Sequence, residues 1–146
     1  CPRPPSREPS SIRVFHGMIT IVTSAIIAAL LHFMFFAMES LMWGSKSVCR
    51  IFGVTPEIAT SRVVKSFAFN QGFYNLFLSL GAAWSALQLG LGSPQYTNVL
   101  VFCCLSMVGA ALALFVSSPK KIVAVLIQGG PPAVCLWGLH QSGLFF

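Results

Sequence analysis

Four long apolar stretches, separated by short polar ones, set the frame of this 146-residue chain. About 20 predominantly apolar residues suffice to cross the hydrocarbon core of a bilayer as a helix. The first stretch predicts a spanning helix over about residues 17–43, uncharged from Gly17 to Met38 and broken by His32, with Glu39 just beyond. Further helices are expected over about 66–89, 99–116 and 122–144. The short connections between them predict an all-α, polytopic membrane domain over residues 17–146, an antiparallel bundle of four transmembrane helices.

The polar stretches carry their own signals. Residues 1–16, CPRPPSREPSSIRVFH, have no core-building pattern, and their prolines cannot donate backbone hydrogen bonds. They predict an extended N-terminal arm. It starts at Cys rather than Met and is rich in Arg and Ser, which suits the remnant of an organelle transit sequence; a cytosolic tail is the plainer alternative. In the longest loop, residues 44–65, Thr55-Pro56-Glu57 predicts the start of a short surface helix, with Thr as N-cap and Pro at its first position. Ser106, Gly109, Ala110 and Ala113 predict the packing face of the third span. In the fourth, Gln128-Gly-Gly-Pro-Pro132 is expected to interrupt the helix. Pro131 and Pro132 free the carbonyls of Ile127 and Gln128 and predict a kink.

Composition sharpens the class. Charged residues make up 8% and hydrophobic residues 55%, with a mean hydropathy of +0.80. A soluble domain carries about a quarter charged residues, so this is a membrane protein. The net charge of +6 does not mark a nucleic-acid binder, because the basic residues lie outside the apolar cores and form no patch with interleaved aromatics. Six of them (Lys46, Arg50, Arg62, Lys65, Lys120, Lys121) fall in the loops after the first and third spans. By the positive-inside rule those loops face the cytosol-equivalent side and both termini lie opposite. The five cysteines show no CxxC and no paired spacing, so neither a zinc site nor a disulfide framework is expected.

The candidate chemistry gathers in FNQGFYN, Phe69 to Asn75, inside the second span. Gln71, Asn75 and Ser79 recur every four residues as one polar stripe, and Asn70 and Tyr74 form a second beside it. His32 and Glu39 are seven residues apart, within about 20° of one helix face. Amides and ionisable groups at membrane depth need partners inside the protein. Catalysis has little support: no Ser-His-Asp set, HExxH, phosphate loop or second bundle carboxylate is present.

Four segments together, LLHFMFFAMESLMW at 30–43, IFGVTPE at 51–57, FNQGFYNLFLSLGAAW at 69–84 and IQGGPPA at 127–133, resemble a small integral-membrane family known as domain of unknown function 1304. The resemblance spans about Leu30 to Ala133. It implies a four-helix membrane fold and no particular activity, and it puts His32, Glu39, Asn70, Gln71, Asn75 and Gln128 on the family's polar positions. The double proline at 131–132 departs from the family's single one.

The polar set admits three uses: a small intramembrane pocket, interhelical packing contacts, or ligation of a cofactor, the magnesium of a chlorophyll by a His, Glu, Gln or Asn side chain or a haem by a His. The expected function is a non-catalytic accessory subunit of a larger organellar energy-transducing complex, a photosystem or a respiratory complex. Its setting would be the thylakoid or mitochondrial inner membrane, its partners the lipid bilayer and other membrane subunits. The alternative is a stand-alone protein that binds or carries a small lipophilic ligand in a pocket of His, Glu, Asn and Gln.

Overall fold

A computed structural model describes residues 10–144 of the chain, with side chains from Phe15 onward. All regular structure among them is helical, so the fold class is all-α. Residues 1–9, the larger part of the expected arm, lie outside the described residues, as does the end of the aromatic tail.

The first helix, α1 (Ser10–Phe36), begins seven residues earlier than the sequence suggested. Residues 10–16 are its first turns rather than part of an extended arm. Pro9 is the last residue of the segment that lacks an N–H, so nothing beyond it opposes a helix. The helix then widens into a π turn, Ala37–Leu41, closed by Met42 N–H donating to Ala37 O at 2.9 Å.

Two short helices follow. Ser45 caps α2 (Lys46–Phe52), its hydroxyl accepting from Val48 N–H at 3.4 Å, and Gly53 ends it in the left-handed region at φ 68°. Thr55 caps α3 (Pro56–Thr60) with Pro56 at its first position, as the sequence indicated. The Glu57 carboxylate in this first turn is held by its own backbone N–H and by Thr55, which keeps it below the usual carboxylate range. Trp43 pins the pair under the end of α1. Its Nε1–H donates to Ala59 O at 3.1 Å, and its ring meets Phe52 edge-on at 5.5 Å.

The remaining chain forms α4 (Arg62–Gly90), α5 (Thr97–Ser117) and α6 (Ile122–Gln141). Among the described residues three stretches are long and apolar enough to cross a membrane: Phe15–Leu41, Pro94–Ser117 and Pro119–Gln141. The chain is an integral membrane protein. Four such spans were expected; α4 has the length, at 29 residues, but carries Asn70, Gln71, Asn75 and Gln88 and is not among the three.

Packing follows small residues. In lipid the hydrophobic effect does not drive helices together, so close approach and dispersion must. The interior is built of Ala25, Ala28, Ala82, Ala86, Cys104 and Cys135, with Ile21, Leu100, Met107 and Leu139 filling between them. α1 packs on α4 and α6, and α5 packs on the same two. At each of these four interfaces a glycine admits the neighbour. A Cβ on Gly138 would come within 2.8 Å of Ile21, on Gly129 within 2.8 Å of Ala111, and on Gly81 within 2.9 Å of Cys103. Gly72, at the α1–α4 interface, admits the end of the first span.

Two packing expectations change. The buried face of α5 is Leu100, Cys103, Cys104, Met107 and Ala111, whereas Gly109 and Ala113 are exposed. When every face of a span is apolar, small residues alone do not identify the inner one. α6 is not interrupted at Gln128-Pro132 but continues helical to Gln141. Gly129 and Gly130, just before the prolines, carry no side chains to crowd the turn, and Pro132 is fully buried.

Candidate functional site

The π turn decides where the carboxylate of Glu39 goes. An i→i+5 turn spreads the backbone wider than an α turn, and something opposite must yield. That residue is Gly72: a Cβ there would collide with Ser40 Oγ and lie 3.2 Å from both Glu39 Cβ and Phe36 O. Ser40 Oγ–H donates to Phe69 O at 3.1 Å, fixing the turn against α4. Glu39 is thereby buried, and Asn75 Nδ2–H, one turn beyond Gly72, donates to Glu39 Oε2 at 2.7 Å.

This pair stands at the wall of a cavity of about 450 Å3. Glu39, Asn75, Gln71, Gln128 and Lys121 supply its polar groups. Phe35, Ile51, Phe52, Ala110, Leu114 and Ala124 are among its apolar ones. Lys121, in the turn before α6, is half-buried and donates from Nζ to Phe52 O at 2.7 Å. That bond ties the second basic turn to α2 and keeps the ammonium at the cavity.

The sequence candidates divide. Glu39, Gln71, Asn75 and Gln128 come together in the cavity wall, Gln71 at its exposed edge. Asn70 and Tyr74 do not: both are exposed on the outer face of α4, Tyr74 at 64%. Pro131 and Pro132 belong to the packing of α6 rather than to the cavity.

His32 is also buried, as its spacing from Glu39 suggested, but it does not line the cavity. Its ring turns back along α1 to Ala28 O, 2.9 Å from Nδ1, and meets the Phe35 ring edge-on at 5.7 Å. The seven-residue spacing assumed a regular α-helix, and the π turn rotates Glu39 away from that register. An enclosed imidazole presents no open face to a haem or chlorophyll. Among the described residues no group of three His, Cys, Asp or Glu side chains is placed to hold a metal ion. Cys49, Cys103, Cys104 and Cys135 are buried free thiols.

Several contributors were not singled out in the sequence, Lys121, Phe35 and Gly72 among them: Lys121 registered only as an orientation signal, and Phe35 and Gly72 carried no signal of their own. The closeness of Gly72 to Asn75, one turn apart in a polar stripe, was the available signal.

The fold and the cavity define a small helical integral membrane protein with a carboxylate and three carboxamides lining one half-open pocket. The family of proteins of unknown function DUF1304 matches residues 26–139, and the chain belongs to it. The matched region contains every polar residue of the cavity wall. No curated protein and no solved structure matches the chain.

Proposed function

We propose that the chain is a four-span antiparallel bundle, α4 being the fourth span, that binds a small amphiphile in the cavity beneath the π turn. The ligand class is a molecule with a hydrogen-bonding head and an apolar body. One observation carries this reading: Glu39, an ionisable group at the end of a membrane span, is buried and yet lines a cavity. Intramembrane ionisable residues usually mark ligand or ion sites, and 450 Å3 lies in the ordinary range for small-molecule pockets. Asn75 occupies Oε2 of Glu39, which leaves Oε1 to accept from a ligand. Gln71 and Gln128 offer both donors and acceptors, and Lys121 has ammonium hydrogens beyond the one given to Phe52. In this reading the site binds and orients. Glu39→Gln, which keeps the shape, is expected to weaken ligand retention about tenfold or more with the fold intact. Unchanged retention would remove Glu39 from the site.

A second reading keeps the chain as a non-catalytic subunit of a larger membrane assembly, and a different observation favours it. Asn70 and Tyr74 face outward on α4, where lipid offers no hydrogen bonds. In that reading other membrane subunits cover them, and the Arg- and Ser-rich arm points to an organellar complex in a thylakoid or mitochondrial inner membrane, with any chlorophyll or haem belonging to the assembly. Gentle solubilisation followed by sizing and an absorption spectrum separates the two. A colourless particle of monomer or small-oligomer mass supports the binder. A large particle with pigment or haem bands supports the subunit.

A further inference from the structure

The residues at the rim of the cavity show on which side it opens. Of those that line it, Ile51, Gln71 and Ala113 are exposed, whereas Glu39 and Asn75 on the inner wall are buried. Gln71 belongs to α4 and Ala113 to α5, so the mouth lies between these two helices, beside the end of α2. Further along, α4 and α5 touch: a Cβ on Gly81 would come within 2.9 Å of Cys103. Gln71 precedes Gly81 by ten residues and Ala113 follows Cys103 by ten, about 15 Å toward the basic end. There the cavity, not a contact, separates the two helices.

Each helix shows the same change along one side. Residues seven apart on an α-helix lie within about 20° of each other. On α4, Gly81 is packed against Cys103, and Tyr74 on the same side is 64% exposed. On α5, Cys103 is buried, and Ala110 on the same side lines the cavity. The two helices therefore part from the Gly81–Cys103 contact toward the basic end.

The gap between them stands at membrane depth. Ala110 and Ala113 lie in the apolar stretch Pro94–Ser117, and Glu39 lies in Phe15–Leu41. On the loop side α2 supplies Ile51 and Phe52 to the cavity wall, held by the bond from Lys121 Nζ to Phe52 O. Ala110 and Ala113 were expected to pack against a neighbour; as rim residues their small side chains leave the gap clear.

We propose, taking the cavity as a ligand site, that it is filled from the bilayer through this gap. Its ligand is then a membrane-dissolved amphiphile, with its head at Glu39 and Asn75 and its apolar body lying between α4 and α5. The polar groups stand on the inner wall, where a head would reach them, and Ile51, Ala110 and Ala113 offer an apolar surface nearer the mouth.

The test is photolabelling of the full chain in phosphatidylcholine nanodiscs with two long-chain alcohols. One carries a diazirine beside the hydroxyl, the other midway along the chain, and labelled positions are mapped by peptide mass spectrometry. The expected result is that the first marks Glu39 or Asn75. The second should mark Tyr74 and Ala113 several-fold more than Val123 and Leu126, which are exposed on α6. Both sets of marks should fall when unlabelled alcohol is added in excess. Cavity marks from the first probe, with Tyr74 and Ala113 marked by the second no more than Val123 and Leu126, would overturn entry through the gap and leave the cavity as a binding site. No competable mark in the cavity from either probe would overturn both.

Discussion

At the scale of single residues the Glu39–Asn75 pair bears most of the account. A hydrogen bond between spans contributes on average only about 0.6 kcal/mol, because the membrane-embedded unfolded state also finds partners. Losing one partner of a buried carboxylate is a different matter, since it strands a group that lipid cannot solvate, at about 1–3 kcal/mol. Asn75→Leu is therefore expected to destabilise the bundle by about 1–3 kcal/mol in detergent-unfolding titrations. The double substitution Glu39→Leu/Asn75→Leu should cost clearly less than the sum of the two singles. Additive losses would mean the 2.7 Å contact does not couple the helices. Asn70→Leu, on the outer face, should change the stability of the isolated chain by no more than about 0.5 kcal/mol. The sequence made both amides visible but gave no means to separate them. Periodicity distinguishes a core face from a solvent face, whereas here the outer face meets lipid and is as apolar as the inner one.

Among the elements the π turn has the largest consequence, and it is the one least visible in the chain. Nothing in Ala37–Leu41 departs from ordinary helix-forming composition, and only the partner surface, with Gly72 cut away, shows that a wider turn is seated there. Gly72→Ala should cost about 1–3 kcal/mol, because the new methyl meets the Ser40 hydroxyl and the fixed Phe36 carbonyl. Ser40→Ala should recover part of that loss by removing the hydroxyl while the carbonyl stays. A harmless Gly72→Ala, measured by the same unfolding titration, would show that the turn can relax and is not locked by α4. Caps were more legible. Thr55-Pro56 announced α3 correctly, because an N-cap acts through residues adjacent in sequence. α2 was read as loop, although Ser45 three residues before Val48 is the same kind of cap.

Across the whole molecule, the two basic connections meet at one end. Lys121 reaches Phe52, which brings the turn before α6 onto the helices that follow α1. Six basic residues then border the end of the bundle where the cavity lies, in keeping with an orientation that retains positive charge on one side. If α4 crosses as proposed, single cysteines at Ser47 and Gln95 in a chain otherwise free of reactive thiols should be labelled by an impermeant reagent from opposite faces of the membrane. Labelling of both from one face would remove α4 from the set of spans. The all-α membrane class and three of the spans were legible because long apolar runs have no other stable home. The polar side of the cavity was partly legible, because Glu39, Gln71, Asn75 and Gln128 stood out as one set; its apolar wall was not, since it arises where α1, α2, α4, α5 and α6 meet and no one segment encodes it.

The central claim is that the cavity holds an amphiphile, and filling it tests that claim most directly. The chain would be purified in nanodiscs from its own membranes and its bound small molecules weighed by native mass spectrometry, beside Ala113→Phe, which places a ring in the cavity wall. One small amphiphile is expected to be retained per wild-type chain and lost from Ala113→Phe, with the unfolding midpoint of the variant little changed. Equal retention by both proteins, or a wild-type chain carrying nothing but exchangeable bulk lipid, would contradict it.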